Sequence, residues 1–257
     1  MILGEILARH LENKLGISVD RLFNLSGTNV AHEALIGGQM DLYAEDSASA
    51  VTQVLHLDLG GDAAGTYNLC RQQYTSNFPL DWLDPLGIES PLVLVGRHEF
   101  GEQIKGNTIS QAAAVQSPFR MAAARDFTSR KDGYAAMQTI YNVRLRDAPR
   151  MANSSPELFK LLDEKQVDLV ATEAVNVHAT DGRYLILEDD KRVFQPSLTG
   201  VVLRRDAAGK FPGVDAALKL LSGKINLATI RRLRDEVDAK GRRPAELAAE
   251  FLRSQGF

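Results

Sequence analysis

Leu3, Leu7, Leu11 and Leu15 recur every four residues, with Ile6 beside them and Glu5, Arg9, Glu12 and Lys14 off that stripe. The period predicts an amphipathic helix over the first fifteen residues, stopped by Gly16. From Ile17 to Leu25 apolar and polar positions alternate through Val19, Leu22 and Phe23, which predicts a strand. A helix is expected over Val30 to Ile36, stopped by Gly37 and Gly38, and a short strand over Met40 to Ala44. Continuous apolar runs at Pro91 to Gly96 and Thr199 to Leu203 read as buried strands. Helical periodicity returns over Pro212 to Leu221, Leu227 to Val237 and Pro244 to Leu252, with Pro244 suited to a first turn. Alternation of helix and strand on this scale predicts an α/β protein.

A faint internal repeat adds to this. Leu35-Ile36-Gly37-Gly38-Gln39-Met40-Asp41-Leu42-Tyr43-Ala44 is echoed by Leu162-Asp163-Glu164-Lys165-Gln166-Val167-Asp168-Leu169-Val170-Ala171. Each copy is a helix end, a tight turn and a strand entered through Gln-x-Asp-Leu. Acidic and small residues follow both, Glu45-Asp46-Ser47 in one and Glu173-Ala174 in the other. Two copies imply two similar lobes, each offering a strand C-terminus to a shared cleft, where open α/β sheets bind ligands. The competing explanation is that helix-turn-strand units look alike by chance. With the two apolar runs as crossings, lobe 1 is expected at 1–95 plus 200–257 and an inserted lobe 2 at 96–199.

Composition narrows the function classes. The 257 residues are 44% hydrophobic and 25% charged, ordinary for a globular protein and enough for two lobes. A net charge of −3 leaves no basic excess for phosphates, so no nucleic-acid partner is expected. Arg231, Arg232, Arg234, Lys240, Arg242 and Arg243 alternate with apolar positions and with Asp235, Glu236 and Asp238, as on a solvated helix face. Cys70 is the single cysteine, which excludes an intrachain disulfide and a cysteine-based zinc site. No run approaches the roughly 20 apolar residues of a membrane helix. No secretory leader pattern precedes the first helix, and a native start upstream is an expectation. Neither a Gly-x-Ser-x-Gly elbow, a Walker loop nor a His-Glu-x-x-His pair occurs. The chain is therefore read as not an enzyme, with no cofactor and no metal.

Five stretches then resemble one family. They are Phe23 to Thr28 leading into His32-Glu33-Ala34-Leu35; Asp81 to Gly87; Arg130 to Tyr134; Thr180 to Arg183; and Leu187 to Arg192. The tail segments Gly223-Lys224-Ile225, Glu236-Val237-Asp238 and Ala249-Glu250-Phe251-Leu252 also fit. In order and spacing they are similar to the glycine betaine, choline and carnitine-type substrate-binding proteins of ABC importers. The resemblance implies a two-lobed type II periplasmic-binding-protein fold, each lobe a mostly parallel sheet flanked by helices. It also implies a small-molecule solute, a membrane permease as partner, an extracytoplasmic location and a monomer. Ligand-sensing on the same fold, or a relative that binds nothing, are the alternatives. Family members begin with a strand before the first helix, so that strand is expected to be missing. The family's tyrosine cage for quaternary ammonium also looks lost. Asp46, Leu92, His178 and Ser197 (or Leu198) stand where aromatic residues are expected.

The candidate site residues each have a plainer reading. Thr28 can cap the following helix, whose N-terminus can also receive a carboxylate. Glu45 and Asp46, with Ser47 beside them, can hold a ligand amine by charge pairing or are solvated loop acids. Arg130, or Arg125, can grip a carboxylate in bidentate fashion, or lies on the surface. His178 contacts ligand or is a hydrogen-bonded core histidine. Thr180 and Asp181 border the cleft or simply make a turn. Trp82 reads as core.

Overall fold

In the computed structural model, which describes all residues except 24, 26, 125, 126, 129, 131, 177–181 and 239, the leucine stripe becomes helix α1, Ile2–Leu15. Ile6, Leu7 and Leu11 are buried, and Gly16 ends the helix at φ 66° with its N–H on Glu12 O. The strand expected over Ile17 to Leu25 is absent among the described residues there. That segment is instead held by its polar positions: Arg21 pairs with Glu5 and Glu12, and Val19 N donates to Glu12 Oε1. Helix α2 (Thr28–Ile36), strand β1 (Leu42–Asp46) and the short helix α3 (Ser47–Ser49) follow. A π-helical turn over Ala50–Val54 continues α3, then come α4 (Ala63–Asn77), β2 (Leu80–Trp82) and β3 (Glu89–Ser90).

The chain divides into two units, Met1–Glu89 with Ser197–Phe257, and Ser90–Pro196. The second contains β4 (Leu92–Arg97), α5 (His98–Ile104), α6 (Ile109–Ala114), β5 (Met121–Ala124) and α7 (Tyr134–Tyr141). It continues through β6 (Arg150–Ala152), α8 (Ser155–Asp163), β7 (Leu169–Glu173), a 3-10 turn (Ala174–Asn176) and β8 (Tyr184–Leu187). Its sheet runs β6-β5-β7-β4-β8. Strand β4 lies between two neighbours and feeds two cores. Leu92 and Leu94 pack with Phe100, Phe127 and Phe194, whereas Val95 packs with Leu158 and Leu162. A strand buried on both faces has to be apolar throughout, which accounts for the Pro91 to Gly96 run.

The chain returns to the first unit as β9 (Ser197–Arg204), α9 (Arg205–Lys210), α10 (Val214–Lys219), α11 (Leu227–Asp238) and α12 (Pro244–Ser254). Strand β9 has β1 on one side and β2 on the other, with β3 also paired to it. The units therefore meet in sequence at 89–90 and 196–197, not at 95–96 and 199–200. The two apolar runs are the inner strands of one sheet each rather than crossings. The sheets are also less parallel than expected: β1 and β2 both run antiparallel to β9. In the second unit β5 is parallel to β6 and β7, while β4 is antiparallel to β7 and β8. No helix among the described residues is long and apolar enough to cross a membrane.

The sequence repeat is a repeat of local structure. Gly38 N and Lys165 N donate to Leu35 O and Leu162 O, and Gln39 N and Gln166 N donate to Ala34 O and Leu161 O. Gly38 (φ 75°) and Lys165 (φ 56°) occupy the same left-handed position after α2 and α8. The strands that follow then pair alike. Leu42 to Asp46 register against Leu203 to Thr199 on β9, and Leu169 to Glu173 against Gly96 to Leu92 on β4.

Candidate functional site

Both repeated strands finish in an acid, and in the first unit that end is built in detail. Asp46 terminates β1 in extended conformation, so its side chain can cap α3, and its Oδ1 accepts Ser49 N at 2.9 Å. Because Asp46 registers against Thr199, Ser197 lies just beyond the pair and donates its hydroxyl to Asp46 Oδ2. Ser47 Oγ accepts Leu198 N at 3.2 Å, and Glu45 Oε1 accepts Asp46 N at 2.7 Å. Glu45, Ser47, Ser49 and Ser197 are buried, while Asp46 keeps some exposure. Four of the candidates (Glu45, Asp46, Ser47 and Ser197) thus come together, and both Asp46 oxygens serve the fold. The sequence reading missed Ser49, although Asp46-Ser47-Ala48-Ser49 has the spacing of a capped helical turn.

Glu45 shares its face of β1 with Tyr43, toward the core that holds Tyr67, Cys70 and Tyr74. Burial pushes the Cys70 thiol and all three tyrosine hydroxyls up from their ordinary range. Tyr67 Oη reaches over Gly200, the residue opposite Glu45, to donate to Leu83 O at 2.5 Å. A thiol held protonated in this way is no nucleophile.

At the end of β7, Thr172 Oγ1 accepts Asn176 Nδ2 at 3.1 Å. Ser90 Oγ accepts Val175 N at 3.0 Å, and Pro91 O accepts Ala174 N at 2.8 Å. Leu92 registers against Glu173, but its side chain belongs to the hydrophobic core of the second unit. Thr28 is buried at the start of α2, yet makes no capping hydrogen bond; Gly27 holds the cap position at φ 94°. Arg130 is buried rather than on the surface. Its Nε and Nη2 grip Asp132 at 2.8 and 2.6 Å, which commits one edge of the guanidinium inside the protein. Arg125, His178, Thr180 and Asp181 lie outside the described residues.

The Leu187 to Arg192 stretch proves structural. Asp189 accepts the Tyr141 hydroxyl at 2.5 Å and the N–H groups of Val193 and Phe194, which folds the loop back on itself. An open groove of about 740 Å³ in the second unit, lined by Tyr134, Gln138, Arg144 and Arg146 among others, contains none of the candidates. Among the described residues no group of three or more His, Cys, Asp or Glu is placed to hold a metal ion.

A family model described as the substrate-binding domain of ABC-type glycine betaine transport systems matches residues 1–254. Among curated relatives, the ergothioneine transport permease/ergothioneine binding protein EgtU of Helicobacter pylori is 29% identical over the whole chain, which spans 46% of that protein's length. The carnitine transport binding protein OpuCC of Listeria monocytogenes is 24% identical, again over the whole chain, and 83% of its length is covered. A solved glycine betaine/carnitine/choline ABC transporter structure superposes with a TM-score of 0.76 at 22% identity, covering 99% of this chain and 94% of that one. A choline-binding ABC-transporter protein in complex with choline gives 0.64 at 12% identity, over 99% and 85%. With a sheet in each unit, acid-ended strands built on one repeated turn and a match from end to end, the chain belongs to the substrate-binding domain family of ABC-type glycine betaine transport systems.

Proposed function

We propose that this chain is the solute-capturing domain of an ABC importer, which takes up a small polar or zwitterionic solute and delivers it to a membrane permease. The observation that carries the reading is the family match over residues 1–254. The repeated strand ends support it, because ligands of open α/β sheets bind beyond strand C-termini. Glu45, Asp46, Ser47 and Ser197 then border the solute from the first unit. Since Asp46 already serves Ser49 and Ser197, its part in binding is to hold the strand end in place. The permease partner is supported by the Helicobacter relative, whose name joins permease and binding protein. The same reading places the domain on the extracytoplasmic side, acting as a monomer.

A thermal-shift screen of the purified chain tests the reading with quaternary amines, amino acids, polyamines and other small zwitterions. A solute at 100 times its Kd adds about 2.7 kcal/mol of stability, which raises the melting temperature measurably. A shift from at least one such solute is expected. No shift from any of them would overturn the proposal.

A further inference from the structure

We infer that the first unit encloses a hydrated pocket, in which ordered water bridges the hydroxyls of Tyr43 and Tyr74 and reaches His32 and Gln53. The pocket lies within that unit alone and does not depend on which solute the protein captures. Among the described residues, eight buried side-chain nitrogen or oxygen atoms have no hydrogen-bond partner in the protein. Three are scattered, on His10, Arg97 and Ser222. The other five are Tyr43 Oη, Tyr74 Oη, His32 Nδ1, Gln53 Nε2 and Trp82 Nε1, and they come from elements packed around a single core.

Tyr43 lies on β1, His32 on α2, Tyr74 on α4 and Trp82 on β2. The π-helical turn that carries Gln53 packs against both α2 and α4. The Tyr74 ring is 5.3 Å from that of His32 and 5.4 Å from that of Trp82, centroid to centroid. The Tyr43 and Tyr74 hydroxyls are close enough for each to perturb the protonation of the other, yet they form no direct hydrogen bond. Tyr67, the third tyrosine of this core, donates to Leu83 O, as a buried hydroxyl ordinarily finds an acceptor. Trp82 is edged by the rings of Tyr67 and Tyr74, which are weak acceptors for an N–H. The need for a partner is therefore sharpest at the two hydroxyls.

A buried polar atom left bare carries the full cost of its desolvation, so native interiors supply a partner, and ordered water serves where the protein does not. A buried water makes about three hydrogen bonds. Two hydroxyls that can each donate and accept, with a ring nitrogen and an amide beside them, offer that number. Glu45 shares its face of β1 with Tyr43, and its charge acts on Tyr43, Cys70 and Tyr74 alike. The water therefore fills the polar space behind the strand end that Asp46 and Ser197 complete.

The test is a high-resolution crystal structure of the full chain, together with urea unfolding of Tyr43→Phe, Tyr74→Phe and the double variant. Ordered water within hydrogen-bond distance of both hydroxyls is expected. Each single variant should lower the unfolding midpoint, because it removes one anchor of the shared water. The double variant should lower it by less than the sum of the two, as coupled sites do. Water absent from either hydroxyl, or a direct Tyr43–Tyr74 hydrogen bond, overturns the inference. A midpoint unchanged or raised by both single variants does the same, since apolar surface in place of a bare hydroxyl relieves its desolvation. Additive losses would give the hydroxyls separate partners and overturn the bridge.

Discussion

The turns after α2 and α8 make the same hydrogen bonds, yet the two units complete them with different residues. After α2 the left-handed position is Gly38, and an added Cβ would lie 2.5 Å from Arg204 Nη1. After α8 it is Lys165, which accepts the strain of φ 56°. Arg204 and Arg97 end the partner strands β9 and β4 in matching places, and each pairs with an acid two residues on, Asp206 or Glu99. Arg204 holds the Asp206 carboxyl down to about 2. Arg97 also donates to Leu162 O and Val167 O at 2.5 and 2.8 Å, fastening the helix-to-strand turn directly. In the first unit the guanidinium lies beside a glycine. In the second it reaches the backbone carbonyls of the turn. One architecture is thus stabilised by two sets of contacts, and hydrogen bonding of the turn is the common requirement.

The largest expected break in this comparison is at Gly200, whose counterpart on β4 is Val93. A Cβ on Gly200 would come within 1.9 Å of Tyr67 Oη. Gly200→Ala should cost about 3 kcal/mol through overpacking and loss of the Tyr67–Leu83 bond, whereas Val93→Ala should cost about 1 kcal/mol. Urea unfolding of both variants measures the difference, and equal costs would mean that Tyr67 yields freely. Next is Gly38→Ala, expected to cost about 1–2 kcal/mol from left-handed strain, with Arg204 displaced in addition. The complementary Lys165→Gly should stabilise by up to about 1 kcal/mol, since the Lys165–Glu99 pair it removes is exposed and worth little. Loss of stability on Lys165→Gly would show that the two turns are not equivalent.

Asp46→Ala should cost about 1 kcal/mol as a lost helix cap, and more through loss of its bond from Ser197. Ser197→Ala tests that part, because it keeps the cap and removes the Ser197–Asp46 bond. If Asp46→Ala leaves unfolding unchanged and removes solute binding alone, the carboxylate touches ligand directly.

The last difference vanishes at neutral pH. Two buried histidines, His10 and His32, lie in the first unit, and burial lowers the pKa of both below 6.5. His10 Nε2 sits 2.7 Å from Ala217 O, and Nδ1 of each ring has no partner. Both bind protons less readily in the fold than when unfolded. Their contribution is complete above pH 6.5 and is lost as pH falls below it. Unfolding midpoints at pH 7.5 and 5.5 should therefore differ, and His10→Gln and His32→Gln should each reduce the difference. A midpoint unaffected by either substitution would place the pH dependence elsewhere.

Much of this fold was legible from local pattern. The leucine period located α1 and Gly16 its stop, because both depend only on neighbouring residues. The Gln-x-Asp-Leu repeat exposed two equivalent turns, since backbone geometry there follows from helix end and strand start. Ile17 to Leu25 misled, because alternation describes a strand only where another strand pairs with it; here Arg21 ties the segment to α1. The strands at 92–97 and 197–204 were found, but their place in the sheets was not. An apolar run is equally apolar as a crossing or as an inner strand.

The candidate site divides in the same way. Sequence alone determined that acids end both repeated strands, that Cys70 has no second cysteine to pair with and that the aromatic content is small. Only tertiary structure decided that Asp46 caps α3 and takes Ser197, that Arg130 is held by Asp132 and that Leu92 packs inward. Asp46 and Ser197 are 151 residues apart in sequence. The partner of a carboxylate is set by which strands register side by side, and that register depends on burying both faces of a sheet at once rather than on any neighbouring residue.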